Sequence, residues 1–383
     1  MAITSLSFVH IFPLASGEAA ADSLEEGIKL FQFAEQLGYN AGYIRTRHLQ
    51  HAPAAPAVLQ AAIGQRTTKI EIGNACIVGQ YENPFNLAEE ISLAAALSRG
   101  RLRPGLAISP PQGFEAGQEA LFYGAGWRDE DYSRDRLNLI RELVGGRKVH
   151  LDLSKFKPGG RSSQLKESEE IKDTSPTPTG INAGLFSDQV EPHWPGLAEN
   201  FWLSSTSVGS ATWAAENRWH IINANMFHGP KSLGLTASTT FDEAQSLQGA
   251  AYREHAAPGF TGKLAHGRVI VPTDVATSEQ AAKYRAYLDE RTPRTLAPID
   301  NGDDYFYIRK DSVASIQAIL DDLGGDPAFA YADELAVLLP FTFAFEDYLQ
   351  ILEQVATRLA PELGWRPNSL SLGDRLQSAP ALV

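Results

Sequence analysis

Short apolar, β-branched-rich runs alternate along this chain with amphipathic segments of helical period, the pattern of a parallel sheet covered by helices. Strand one is predicted over 5–12. A helix over 23–37 follows, opening on Asp22 or Ser23, with Glu25 and Glu26 in its first turn and a stop at Gly38. Strand two falls at 42–46, helix two at 56–66, strand three at 69–78, helix three at 84–97 and strand four at 101–109. A crossing with Gly113, Gly117, Gly124 and Gly126 leads to helix four at 133–144. Residues 155–180 break the rhythm: Lys, Ser, Glu, Gly, Thr and Pro dominate, and the stretch reads as a polar, partly disordered surface excursion. Alternation resumes with strand five at 200–204, helix five at 207–216, strand six at 219–225, a helix at 241–255, strand seven at 266–272 and a helix at 279–290. A polar loop at 292–304, either a lid or a connector, precedes a helix at 311–323, strand eight at 335–339 and a closing helix at 345–363. Eight strand–helix repeats without a second compositional regime predict an α/β fold: a single (β/α)8 TIM barrel with insertions over 1–383, the alternative being a doubly wound open sheet.

Composition narrows the function. The 383 residues are 43% hydrophobic and 21% charged, ordinary for a globular chain with ample core. With 33 basic and 46 acidic residues the formal charge is -13, which repels nucleic-acid phosphates and anionic membranes, and no basic patch offsets it. The N-terminus lacks the basic stretch of a signal peptide and reads as a strand. No apolar run approaches the ~20 residues that span a bilayer. Cys76 is the single cysteine, which excludes an internal disulfide and a cysteine zinc cluster, so a cytoplasmic setting is expected. Phosphate-loop, dinucleotide, GxSxG and HExxH signatures are missing; His48 and His51 lie in a proline-containing segment unlike a metal-binding helix, and no metal is expected.

Four stretches carry a resemblance. GYIRTRHL (42–49), KIEIGNACIV (69–78), the run from Asn83 to Ala107 and FWLSSTSVGSATWAAE (201–216) resemble the bacterial-luciferase-like monooxygenases, in that family's order and at its strand positions. The resemblance implies a barrel whose C-terminal mouth binds reduced flavin mononucleotide (FMNH2), supplied by a separate flavin reductase. Oxygen then adds to the flavin C4a position and the peroxide attacks a small organic substrate. The protein contributes positioning, desolvation and electrostatics, because the redox chemistry belongs to the flavin.

Functional side chains of a (β/α)8 enzyme sit at the C-terminal ends of strands. His48 follows strand two, where a neutral imidazole hydrogen-bonds a flavin peroxide or acts as a base; the alternative is a histidine that satisfies loop backbone. Arg47 stands where the family commonly has the first of two histidines, the one tied to catalysis in luciferase. Always protonated, it stabilises a peroxide anion, binds an acidic substrate or flavin phosphate, or forms a surface salt bridge. Asn74, Ala75 and Cys76 end strand three, and the resemblance implies a non-proline cis peptide between Ala75 and Cys76 beneath the flavin ring. Cys76 itself reads as a packed small residue rather than a reactive thiol.

Ser207, Val208, Gly209 and Ser210 open helix five, a cradle for the flavin phosphate built from free amides, two hydroxyls and a glycine, unless Ser207 only caps the helix. After strand four, luciferase has a phosphate-pairing arginine, but here Ile108 holds that place, followed by Ser109 in the cofactor set. Asn223, Asn225 and Met226 line the substrate side or tie loops together; Tyr81, Tyr123, Trp127, Trp202 and Phe227 form an aromatic wall over the flavin or belong to the core. The expected activity is a two-component flavin monooxygenase. The alternatives are a catalytically silent flavin-binding or scaffold subunit, which Arg47 and Ile108 favour, and a deazaflavin-dependent oxidoreductase. Small residues on helices two and three (Ala61, Ala62, Ala94, Ala95, Ala96) suit the homodimer contact common in the family.

Overall fold

The computed structural model describes residues 2–108, 126–130, 132–149 and 187–367. Ser109, Tyr123, the crossing through Gly124 and the 155–180 excursion lie outside them, as does the Trp127 side chain. Among the described residues the expected alternation is present. Its barrel strands are β1 (Ser5–His10), β2 (Ala41–Ile44), β3 (Glu71–Asn74) with β4 (Ile77–Val78), β5 (Leu102–Arg103) with β6 (Gly105–Ala107), β7 (Trp202–Ser204), β8 (His220–Asn223), β10 (Leu264–Arg268) and β15 (Glu334–Leu338). Strand three is divided at the Ala75–Cys76 peptide, which is cis as the resemblance implied, and strand four at Pro104, which cannot donate to a ladder.

All pairs in this sheet are parallel, β15 and β2 flanking β1. β3 pairs with β5 and β4 with β6, so the two divided strands lie side by side and the sheet closes into the expected barrel. Gly105 is required at that seam: a Cβ there would lie 1.8 Å from the Asn74 carbonyl oxygen.

The helices are α1 (Ala19–Leu37), α2 (Pro56–Arg66), α3 (Pro84–Leu97), α4 (Arg134–Val144), α5 (Val208–Glu216), α6 (Phe241–Glu254), α7 (Ser278–Arg291), α8 (Ile316–Gly324) and α9 (Phe345–Gln354). Local sequence explains their ends. Asn83 accepts the amides of Phe85 and Asn86 at the start of α3, Ser133 accepts that of Asp135, and Gly38 closes α1 at φ 89°. Ala61, Ala94 and Ala95 pack within the chain, whereas Ala62 is exposed.

Several boundaries differ from expectation. α1 begins at Ala19, because the run Ala19–Ala21 favours helix and Ser23 donates back to the Ala19 carbonyl instead of capping. Strand seven begins at Leu264, and β11 (Ile270–Pro272) leaves the barrel to pair with β14 (Ser312–Ala314). That extended segment takes the first residues of the helix expected at 311, so α8 starts after the Ser315 cap. The 292–304 loop contains β12 (Ile299–Asp300), which with β13 (Asp304–Ile308) and β9 (Met226–Pro230) forms an antiparallel ribbon. The closing helix changes after Gln354 into a π turn over Val355–Leu359.

Parity along the strands separates two cores. Leu6, Phe8, Ile72, Leu106, Leu203, Ile221, Leu335 and Val337 face the helices. Val9, Ala41, Tyr43, Trp202, Ile222, Ala265 and Ala336 fill the lumen. Below them the floor is ionic. Arg103 Nη1 donates to Glu334 at 2.7 Å and Nη2 to Glu71 at 2.6 Å, while Ser5 and Ser7 each donate to Glu334 at 2.6 Å. Burial alone would raise the Glu334 carboxyl, but Arg103 and the two hydroxyls outweigh it and hold it below its usual value.

Candidate functional site

The C-terminal ends of the barrel strands gather most of the candidate residues. On β2, Ala41 and Tyr43 face the lumen, and Arg45 continues their row, its amide bonded to the His10 carbonyl at 2.9 Å. Arg47 is two residues further, tied through its amide to Pro53 O at 3.2 Å. His48 packs edge-on against Tyr81, ring centroids 4.9 Å apart, and partial burial lowers its pKa, so the imidazole is neutral at pH 7.

Across the mouth, Ala75 borders the lumen cluster. The Cys76 thiol bonds to Ser204 at the end of β7, and burial pushes its pKa up, which keeps it protonated. Asn74 has the opposite parity. It is fully buried and neither end of its amide has a hydrogen-bond partner among the described residues, a costly arrangement.

The segment after β7 forms a connected polar chain. Ser207 and Ser210 make a reciprocal capping box, each side-chain oxygen accepting the other's amide, at 3.2 and 3.3 Å. Ser205 lies 2.7 Å from Ser210 and receives Gln248 at 2.7 Å. Both hydroxyls of the expected cradle are thus engaged in capping. The amides of Val208 and Gly209 head α5, and a Cβ on Gly209 would meet nothing within 4 Å among the described residues, which leaves this end of the helix open to an anion. Ile108 packs in the helix-facing core. Arg134, on α4, stands beside the cradle instead, 3.4 Å from the Gly209 carbonyl and 5.5 Å over the Trp213 ring.

The weaker candidates disperse. Trp202 is in the floor, 5.1 Å from the Arg103 guanidinium, and Phe227 belongs to a separate core with Leu235 and Tyr307, because β9 turns away into the ribbon; neither walls the mouth. Asn223 bonds to His266 at 3.2 Å and Asn225 to Asp311 at 3.3 Å, so both tie elements together. Arg291 of α7 also bonds to Asp311. Arg45 was not among the sequence candidates, though its place two residues after Tyr43 on a period-two row was a usable signal. Among the described residues no group of three or more His, Cys, Asp or Glu is placed to hold a metal, and no helix is long and apolar enough to cross a membrane.

The pattern of the family described as luciferase-like monooxygenase matches residues 3–165. Over those residues the chain is similar to that family. The N-acetyl-S-alkylcysteine monooxygenase of Bacillus subtilis (strain 168) is 33% identical over 118 residues, 30% of this chain and 35% of that protein. The match spans about a third of the length of the curated relatives. Solved structures share the fold over nearly the whole chain. The apo form of MsnO8 has TM-score 0.62 at 20% identity, covering 93% of this chain and 99% of that one. The oxygenating constituent of 3,6-diketocamphane monooxygenase of Pseudomonas putida, in complex with FMN, has TM-score 0.58 at 15% identity, covering 94% and 98%. The coenzyme F420-dependent tetrahydromethanopterin reductase of Methanopyrus kandleri has TM-score 0.54 at 13% identity, covering 94% and 100%.

Proposed function

We propose that this luciferase-like chain is a reduced-flavin-dependent monooxygenase acting on a small organic substrate, with FMNH2 delivered by a separate reductase. The observation that carries it is the barrel mouth itself, where the small residues Ala75 and Cys76 occupy the break between β3 and β4, Ala107 ends β6, and the N-terminus of α5 follows β7 at Gly209. Small side chains leave room for a flat ring system, and the Val208 and Gly209 amides suit a phosphate. Bound there, a reduced flavin supplies two electrons to molecular oxygen, so that one oxygen atom enters the substrate and the other leaves as water.

The chain's own groups then have separable tasks. The amides of α5 bind the phosphate, with Arg134 at hand beside Gly209. His48, neutral and held against Tyr81, accepts a proton at one ring nitrogen while donating from the other. Arg47 keeps a fixed positive charge at the mouth, in place of a titrating histidine.

Anaerobic titration with FMNH2, followed by mixing with oxygen, tests the reading. Saturable binding and flavin reoxidation kinetics that depend on protein concentration are expected; reoxidation identical to free flavin would overturn it. A second reading, a silent scaffold, is favoured by Ile108 in the core and by the serine hydroxyls committed to capping; it expects no saturable binding in the same titration. Turnover with a deazaflavin in the absence of oxygen would move the chain to hydride transfer. The proposal includes a homodimer in the cytoplasm, and sedimentation velocity tests the dimer.

A further inference from the structure

Among the described residues the mouth carries more positive charge than it balances. Arg45 directly follows β2, its amide still bonded to the His10 carbonyl, Arg47 lies two residues on in the loop, and both act electrostatically on the Cys76 thiol, which itself reaches across to Ser204. Burial and the like charges of Arg47 and Arg291 bring the Arg45 guanidinium down to about 10. Arg291 is paired with Asp311, but among the described residues neither Arg45 nor Arg47 makes a side-chain hydrogen bond or ion pair. Both are partly buried. A guanidinium withdrawn from water without a counter-charge costs free energy that the fold does not recover, and the floor of the same barrel shows how this chain pairs a cation when stability is the only demand.

We infer that Arg45 and Arg47 form an anion subsite at the barrel mouth, one that receives a carboxylate or sulfonate of the substrate. This rests on the oxygenase reading of the same mouth and gives it a substrate class: small organic acids. The flavin phosphate is the other source of such an anion. The helix end suited to it follows β7, three barrel strands along from β2, and has its own amides and Arg134. The paired arginines therefore serve a second anion, on the substrate side of Cys76.

Calorimetric titration of the full chain with hexanoate, hexane-1-sulfonate and hexan-1-ol, probes that share a tail and differ in charge, tests the subsite without turnover. The acids are expected to bind at least about ten-fold more tightly than the alcohol, the scale of one charge-assisted hydrogen bond. The preference disappears in Arg45→Ala/Arg47→Ala and is partly kept in Arg45→Lys/Arg47→Lys, which preserves charge without the planar fork. A parallel titration with FMN and riboflavin, which differ by the phosphate, identifies the source. Their affinity ratio stays unchanged in the alanine pair if the subsite is the substrate's. Acids binding no better than the alcohol would overturn the inference, as would collapse of the FMN-to-riboflavin ratio in the alanine pair. An acid preference without any flavin binding would instead overturn the oxygenase reading and leave the anion subsite standing.

Discussion

The floor and the mouth of this barrel hold the same residue type under opposite conditions. At the floor, Arg103 is 2% exposed and bonds to Glu334, Glu71 and Tyr43 at 2.6–2.8 Å. At the mouth, Arg45 and Arg47 follow the end of β2, both partly buried, with no side-chain partner among the described residues. A (β/α)8 barrel places stability at the N-terminal ends of its strands and chemistry at the C-terminal ends, and here the division is drawn in charge. Paired arginine closes the floor; unpaired arginine makes the mouth receptive.

The sharpest way to break the contrast is Glu334→Ala. It strips the floor arginine of its buried partner and should cost about 3–5 kcal/mol in urea unfolding; a loss below ~1 kcal/mol would mean the floor is not what holds the barrel.

His10 comes next, at the mouth end of β1 but wedged between Phe12 and Tyr348 on the helix side. Burial takes its pKa from 6.5 to about 3. Its folded value lies below the unfolded one, so stability is whole above pH 6.5 and is lost as pH falls toward about 3. Between pH 7 and 5 this amounts to about 2 kcal/mol, which His10→Phe should remove from the pH slope of the urea midpoint. An unchanged slope would place the acid sensitivity elsewhere, with the similarly buried His220 the next group to replace.

Gly209→Ala separates binding from folding at the mouth. The methyl meets no atom of the described residues, and alanine favours a helix, so stability should hold or rise slightly. FMN affinity should fall about ten-fold, the loss of one good phosphate contact. Equal flavin affinity in the variant would move the phosphate away from α5. The smallest expected effect is Arg45→Ala, within about 0.5 kcal/mol of the parent in unfolding, because no partner is abandoned. A large loss there would erase the distinction between floor and mouth.

Much of this was legible in the sequence. The barrel strands announced themselves as short apolar runs, and α2 and α3 end where Pro56, Arg66, Pro84 and Leu97 suggested, since proline and cap residues act locally. The ribbon of β9, β12 and β13 was not, because short antiparallel pairing between residues some 80 positions apart leaves little periodicity in a polar loop. The place of Arg47, His48 and residues 207–210 just after barrel strands was legible from position. Packing decided the rest: Ile108 proved to lie on the helix side of its strand, a distinction that depends on a register only the closed sheet fixes.

Closure of the sheet also bears on how the chain can be divided. β1 lies between β2 and β15, Ser5 pairing with Glu334 across 329 positions of sequence, while β6 leans on β7. A fragment cut to residues 3–165 would keep the stretch that matches the family and expose two unpaired parallel edges, along β1 and along β6. Bare edges of this kind recruit one another, so the fragment should aggregate where the full chain does not. The family pattern lies in the first half of the sequence; the pairing of its outer strands needs both.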